Sequence, residues 1–531
     1  MLSQFRSSLR SDRVLLLGLT LVVAFCSIVY ELIYSEMLRV LFGGTVLRYS
    51  ITIGLYLFSL GIGAFLYNYV GEAETNFFRI EVLLAVVGPL GLLVMILLNS
   101  VPDVRFPAKD TAVLVASHLP IIAVGVLSGL EIPFLSSMVT SERSAFSEVL
   151  GVDYFGSLVG TVVYALFLYP SMGLITAIVV LGLLNAVAAL SFAVRFTESS
   201  KALLLVGLLL TGTYAGVLAN EQQVEDSLTD FYVEGAIESE YPPGTASVDV
   251  TERHTTKYQD AVLYERQLTD LPGSDTCLRL DMAVQLCDRW VDSYHEGLVD
   301  VPMSQFENGS ETRVLLIGGG DWIAVDHLRE YGVTVDHVDI DGEFMNYTRD
   351  HAFFEQYHND AYEYDRLTTH VADARTYLRS TDRQYDLILL DLPGARSDDA
   401  LPLYSTEFYT QLRQHVTDDG MVATWVYSRH KFTNHHMAYV NTVREAGFRG
   451  YADYNTYDDL DRDGQLERGE QFYLLSPSPS EKLTLETARN ARTDRVQSAY
   501  ERREWRAIDR YRGVEPNSIF DPNYDIVIGY V

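Results

Sequence analysis

Over residues 1–219 apolar positions run on with few charges and no regular alternation with polar ones. Stretches near 14–34, 48–70, 80–99, 112–134, 152–169, 171–194 and 202–219 approach the roughly 20 apolar residues that a helix needs to cross a hydrocarbon layer. The pattern predicts a multi-pass α-helical membrane domain of about seven helices over 1–219. Its first stretch follows Arg6, Arg10 and Arg13 and is too long and too polar-ended for a cleaved leader. Glu31, Glu36, Glu131 and Asp153 fall at ends of these stretches, with Arg39 one turn after Glu36. They are read as paired structural groups rather than as an ion path.

Beyond this half the pattern changes. Residues 220–245 form a polar linker that ends in Pro242-Pro243-Gly244. "ASVDVTERHTTKYQDAVLYE" and "TCLRLDMAVQL" alternate apolar with polar residues, which predicts short antiparallel strands in a small β subdomain, 246–302. "SYHEGLVDVPM" has helical spacing and is expected to stop at Pro302. From Arg313 onward, strands opening with Val314–Ile317 and recurring near 334–340, 368–372, 385–391 and 421–427 alternate with helices near 322–331, 344–357, 373–380 and 406–415. That order predicts a Rossmann-like, methyltransferase-type α/β domain with a mostly parallel sheet over 303–480. The charged tail, 481–531, has helical spacing near 481–510.

The chemistry concentrates where this sheet should carry its ligands, at the carboxyl ends of its strands. The first strand runs into Gly318-Gly319-Gly320, and the second ends in Asp339 and Asp341. Glycines let backbone approach a ligand closely, and an acid about twenty residues on can accept from ribose hydroxyls. The spelling is not G-x-G-x-x-G, so an adenosine-type ligand is expected before a dinucleotide. Asp339, Asp373 and Asp391 all fall at strand ends. Asp391 closes "YDLILLD" and suits a general base, although a helix cap or a solvated loop acid has the same spelling.

Net charge alters the list of partners. The value of −31 belongs chiefly to the second half and argues against nucleic acid. A halophilic cytoplasm accounts for it better than a cationic substrate does. Cys26, Cys277 and Cys287 make no disulfide framework and are expected as free thiols in a reducing compartment. Lysine and arginine counts, taken with seven spans, would place the soluble half outside the cell. A cytosolic nucleoside requires it inside, so a cytoplasmic soluble half is expected. "DLDRDGQLERGE", Asp459 to Glu470, matches a calcium loop of EF-hand type, with Asp459, Asp461, Asp463, Gln465 and Glu470 as ligands of a structural Ca2+. His430, His435 and His436 are expected on a solvated surface.

Six short segments in order resemble the spermidine synthases, the polyamine aminopropyltransferases, over about Thr245 to Ser476. They are "TKYQD", "QLCDRWVDSYHE", "IGGGD", "VDID", "ADA" and "LILLDLPG", with "LYSTEFY" downstream. "YELIYSEMLRVLFGG", "LSGLEIPF" and "VDYFGSLVGTVVY" resemble the integral-membrane branch of that family. The resemblance implies transfer of an aminopropyl group from decarboxylated S-adenosylmethionine, as co-substrate, to a polyamine or other small amine. It implies that Gln259 contacts the thioadenosine, Gly318, Gly319 and Gly320 lie under the cofactor, Asp339 holds the ribose, and Asp373 with Ala374 faces the adenine. Asp391 would take the proton of the amine, which Tyr294, His295 and Asp321 would orient. Trp290 and Val291 replace a family acid pair, Gly394 replaces the second acid of the D-x-x-D loop, and Trp322 replaces a glycine. Each lost acid removes an ammonium anchor, and Trp322 is expected to narrow the pocket or alter how the cofactor sits. The partners expected are the amine and the lipid bilayer, with a homo-oligomer admitted. The rivals are a methyltransferase on the same nucleoside site, and a transport or sensor protein that binds the nucleoside without catalysis.

Overall fold

The computed structural model describes residues 2–526, except 43–45, 72, 101–108, 140–144, 197–200, 282, 307–308, 396–397, 399, 428, 430, 460–464, 466 and 479–504. The chain forms two compact units, Met1–Gly244 and Thr245–Val531.

Helices make up the first unit: α1 (Leu2–Phe42), α2 (Val46–Leu66), α3 (Ala73–Asn99), α4 (Lys109–Ser117), α5 (Leu119–Met138), α6 (Ala145–Val163), α7 (Tyr169–Phe196), α8 (Lys201–Leu218) and α9 (Glu221–Glu238). Six helical stretches are long and apolar enough to cross a membrane, by length and composition. The spans expected at 152–169 and 171–194 fall in one of these, Phe146–Phe196, broken at Gly173 with φ +65°. Small residues let backbones touch: a Cβ on Gly63 of α2 would lie 2.1 Å from the Val126 carbonyl, and one on Gly129 of α5 2.2 Å from the Leu60 carbonyl. Glu36 pairs with Arg39 at 2.7 Å, as expected. Glu131 is instead buried, as is Glu81, whose carboxylate accepts from the Asn185 amide at 2.9 Å. The expected linker, 220–245, is largely helical, because α9 packs against α3, α7 and α8.

The second unit opens with an antiparallel sheet, β1 (Ala246–Thr255), β2 (Asp260–Leu268), β3 (Ser274–Leu280) and β4 (Ala283–Cys287). Next come α10 (Val291–His295), a π-turn (Glu296–Asp300) and α11 (Val301–Met303), so the helix runs on through Pro302. The α/β core follows: β5 (Arg313–Gly318), α12 (Ile323–Glu330), β6 (Thr334–Asp339), α13 (Gly342–Arg349), α14 (Ala352–His358), β7 (Leu367–Val371), α15 (Ala374–Ser380), β8 (Tyr385–Asp391), α16 (Thr406–His415), β9 (Val416–Val426), α17 (Thr433–Glu445), β10 (Gly450–Asp458), β11 (Glu467–Ser476) and β12 (Trp505–Ala507). The sheet order is β12-β10-β11-β9-β8-β5-β6-β7. Strands β5 to β9 are parallel, and β10 to β12 join antiparallel. Val314 to Ile317 are buried because helices cover both faces of the sheet. The small sheet packs Leu263, Leu278 and Leu286 against Val291, Phe344 and Phe354, which fixes it beside the first βα turns.

Several expectations are corrected. Cys277 and Cys287 are bonded to each other across adjacent strands, leaving Cys26 as the free thiol. Strand pairing brought together two cysteines whose spacing carried no signature. His435 and His436 are buried, because α17 lies under the C-terminal segment. His435 Nδ1 meets the Ile526 carbonyl at 2.6 Å, and His436 Nε2 the Tyr511 hydroxyl at 3.1 Å; His430 lies outside the described residues. The helix expected over 344–357 is two, α13 and α14, separated at Asp350-His351. Of the expected tail helix, residues 505–507 form an edge strand paired to β10, and 481–504 lie outside the described residues.

Candidate active site

The strand order turns back between β5 and β8, with β6 on one side and β9 on the other, which opens a crevice at their carboxyl ends. Register places Gly318 directly opposite Asp391. Gly318 and Gly319 have φ of +81° and +72°, and the turn threads between two carboxylates. A Cβ on Gly319 would lie 3.0 Å from Asp391 Oδ2, and one on Gly320 3.1 Å from Asp339 Oδ2. These glycines leave room for a ligand against the backbone.

Asp391 accepts a hydrogen bond from the Tyr294 hydroxyl at 2.7 Å. One ligating atom each of His295, Asp321 and Asp391 lies within 4.8 Å of the others. Burial, with the charge of Asp321 added, pushes the Asp391 carboxyl up to about 6, while the Tyr294 hydrogen bond acts in the opposite sense. Burial likewise pushes Asp321 up to about 6 and Asp339 up to about 7. His295 is pushed down to about 4 by burial, so its ring is neutral at pH 7. Its Nδ1 faces the Val291 carbonyl at 2.7 Å and therefore carries the hydrogen. That leaves the buried Nε2 as an acceptor with no hydrogen-bond partner among the described residues. Two carboxylates and an acceptor imidazole make a small, cation-attracting pocket, sized for an ammonium or a single metal ion.

The remaining predicted residues divide. Gln259, in the β1–β2 turn, donates to Asp341 Oδ2 at 3.1 Å, and Asp341 Oδ1 caps α13 through the Phe344 amide at 3.0 Å. Asp341 thus holds the small sheet's turn against the end of β6. Asp339 accepts from the Asp341 amide at 2.8 Å. Asp373 caps α15, accepting from the Thr376 amide at 2.9 Å, and Ala374 is buried behind it. Asp373 sits at the same sheet edge, two residues past β7, but outside the Asp391 cluster.

The calcium loop finds no support. Asp461 and Asp463 lie outside the described residues, Asp459 and Gln465 flank a β-hairpin connection rather than joining helices, and Glu470 lies in β11 with its carboxylate taken by the Trp425 indole N–H. Trp322 does not narrow the pocket. It takes a left-handed φ of +68°, and its buried indole donates to the Met345 carbonyl at 2.9 Å, edge-on to His337. Its indole is turned into the core. Val291 is also a core residue. Gly394 is fixed by packing, because a Cβ there would lie 2.1 Å from the Tyr427 hydroxyl. Residues that no sequence signal marked are Trp425, Tyr427 and Glu470 in its present setting, since an antiparallel strand brings them together over some forty-five residues.

The spermine/spermidine synthase domain profile matches residues 291–456, which include Tyr294, the glycine turn and Asp391. A polyamine aminopropyltransferase of Streptomyces coelicolor is 30% identical over 456 residues, covering 83% of this chain and 80% of its own. One of Leptospira interrogans is 26% identical over 416 residues, covering 76% and 77%. Matches of this extent reach into the helical unit as well. The spermidine synthase of Thermotoga maritima overlays at a TM-score of 0.38 and 18% identity, covering 48% of this chain and 82% of its own. With a Rossmann-like sheet whose crevice carries the aspartates described, and relatives matched along most of their length, the chain belongs to the polyamine aminopropyltransferases, spermidine synthase-like enzymes that transfer aminopropyl groups.

Proposed function

We propose that the second unit moves the aminopropyl group of decarboxylated S-adenosylmethionine to a small polyamine-type amine, with Asp391 accepting the proton. The nitrogen lone pair attacks the propyl carbon attached to the sulfonium, and the carbon–sulfur pair leaves with sulfur as methylthioadenosine. The proton lost from nitrogen passes to Asp391. An amine must be neutral to attack, while a carboxylate both gathers the ammonium and takes its proton. One observation carries the reading: Asp391, set to titrate near neutrality, stands in register with the glycine turn and beside Asp321, His295 and Tyr294.

In this reading Gly318, Gly319 and Gly320 lie under the thioadenosine, Asp339 accepts from the ribose, and Asp373 with Ala374 borders the adenine. Gln259 closes the site from the small sheet, and the acceptor Nε2 of His295 takes an N–H of the incoming amine. The test supplies purified protein with decarboxylated or intact S-adenosylmethionine and a series of amines, and identifies products by mass spectrometry. Methylthioadenosine with an aminopropylated amine is expected. A methylated product, or binding without turnover, would overturn the reading.

The apolar helices of the first unit support a membrane-anchored enzyme; a cytosolic nucleoside co-substrate argues for its second unit in the cytoplasm, whereas the Cys277–Cys287 bond argues for an oxidising compartment. Protease accessibility of Thr245–Val531 in inside-out against right-side-out vesicles tests that placement.

A further inference from the structure

Three carboxyls fall on one level of the helical unit. Glu81 lies seven residues after the start of the apolar stretch Glu74–Asn99, Glu131 seven before the end of Ala112–Met138, and Asp153 seven after the start of Phe146–Phe196. Successive spans run in opposite directions, so each carboxyl stands about 10 Å inside the same face at 1.5 Å per residue. Helix α5 packs on both α3 and α6. Glu81 and Glu131 face each other, and the charge of Asp153 acts on Glu131. Glu81 is fully buried and Glu131 is 3% exposed, whereas Asp153 is half-buried.

The groups around this pair are acidic or neutral. From α1 come Cys26 and Tyr30, and from α2 Tyr56. The Asn185 side chain of α7 donates to Glu81 Oε2 at 2.9 Å and accepts from the Tyr30 hydroxyl at 3.2 Å, so both ends of it are used. His118, where α4 meets α5, is tied to the Leu114 carbonyl at 2.8 Å, Tyr214 of α8 to the Ala85 carbonyl, and Glu225 of α9 to the Thr176 hydroxyl at 2.9 Å. Among the described residues no lysine, arginine or histidine acts on either carboxyl. Glu81 Oε1 and Glu131 Oε1 are buried with no hydrogen-bond partner among them. Two like charges held together away from water cannot both persist, and ionisable groups at such depth serve function more often than packing. A hard metal ion takes about six oxygens, while a proton needs only two that oppose each other.

We propose that Glu81 and Glu131 form a proton-binding site inside the helical unit, open toward Asp153, which takes up and releases a proton so that the unit does more than anchor the enzyme. This rests on the membrane placement proposed above and not on the transfer reaction.

The full-length protein is reconstituted in phosphatidylcholine vesicles and treated with dicyclohexylcarbodiimide, a lipid-soluble reagent that adds to protonated carboxyls. Peptide mass spectrometry locates the adduct. Label on Glu81 or Glu131 is expected, falling about tenfold or more between about pH 6 and about pH 9 as the site empties. Glu131→Gln removes the neighbouring charge, so Glu81 should give up its proton at lower pH. At the pH where wild-type Glu81 is half labelled, its label should fall about tenfold in that variant. Label that ignores pH marks a permanently protonated packing pair and overturns the site, as does label absent at about pH 6 or an unmoved limb in a folded Glu131→Gln variant. Protection by sodium chloride over choline chloride at constant pH also overturns it, in favour of a metal ion. If Glu131→Gln fails to fold, the wild-type pH and sodium arms decide. Protein that stays in the aqueous phase without detergent overturns the membrane placement itself.

Discussion

Asp391→Asn keeps the size and the hydrogen bond from Tyr294 and removes the proton acceptor. Loss of a positioned general base costs on the order of 10²- to 10⁴-fold in rate. The burial that makes Asp391 a base near neutrality also disfavours its charge. Its carboxyl moves from an ordinary 3.8 to about 6, which at 1.36 kcal/mol per unit is on the order of 3 kcal/mol. Because the folded value lies above the unfolded one, this cost is absent well below pH 4 and fully present above about pH 6. Asp391→Asn should therefore raise the melting midpoint at about pH 7.5, with no gain in acid, while turnover falls. In the wild type, kcat/KM for methylthioadenosine release should drop as pH falls through about 6. Asp321 raises the Asp391 value and the Tyr294 hydrogen bond lowers it, so Asp321→Asn should move that acid limb down and Tyr294→Phe should move it up. An Asp391→Asn variant retaining more than about a tenth of wild-type turnover, or acid limbs that move in the same direction in the two neighbours' variants, would refute the assignment.

Four further outcomes follow from packing. Trp322→Gly relieves a left-handed φ worth about 1 kcal/mol but empties a buried indole site worth about 3–5 kcal/mol, so urea unfolding should show a net loss. Gly394→Ala drives a Cβ to 2.1 Å from the Tyr427 hydroxyl and should lower turnover, with partial recovery in Gly394→Ala/Tyr427→Phe. Replacing Cys277 and Cys287 by Ser opens a bridge of sequence separation 10 and should cost about 2–3 kcal/mol, read as a lower melting midpoint that reductant reproduces in the wild type. Added calcium and chelator should leave melting and turnover alike, because the Glu470 carboxylate is engaged by Trp425; a calcium-dependent rise in melting would reverse that conclusion.

The alternation of period, charge and turn residues was enough to read two halves, the parallel core strands and the acids at their ends. Those features are local: a continuous apolar run, a glycine triplet and a terminal Asp each carry their meaning within a few residues. That Asp339, Asp373 and Asp391 stand on one edge of the sheet follows from the βα alternation, while the order β9-β8-β5-β6-β7 came with the structure. The structure decided what depends on partners far along the chain. Cross-strand pairing joined Cys277 to Cys287, and the C-terminal segment buried His435 and His436. A left-handed backbone at position 322 turned the indole into the core and away from the pocket. Glu470 changed most. Its spelling belongs to a metal loop, yet an antiparallel strand sets it beside Trp425 at the edge where Asp391 stands. Local pattern specifies elements because backbone geometry repeats over a few residues. Which side chains share a pocket is set by the register and direction of strands that meet only once the chain has folded.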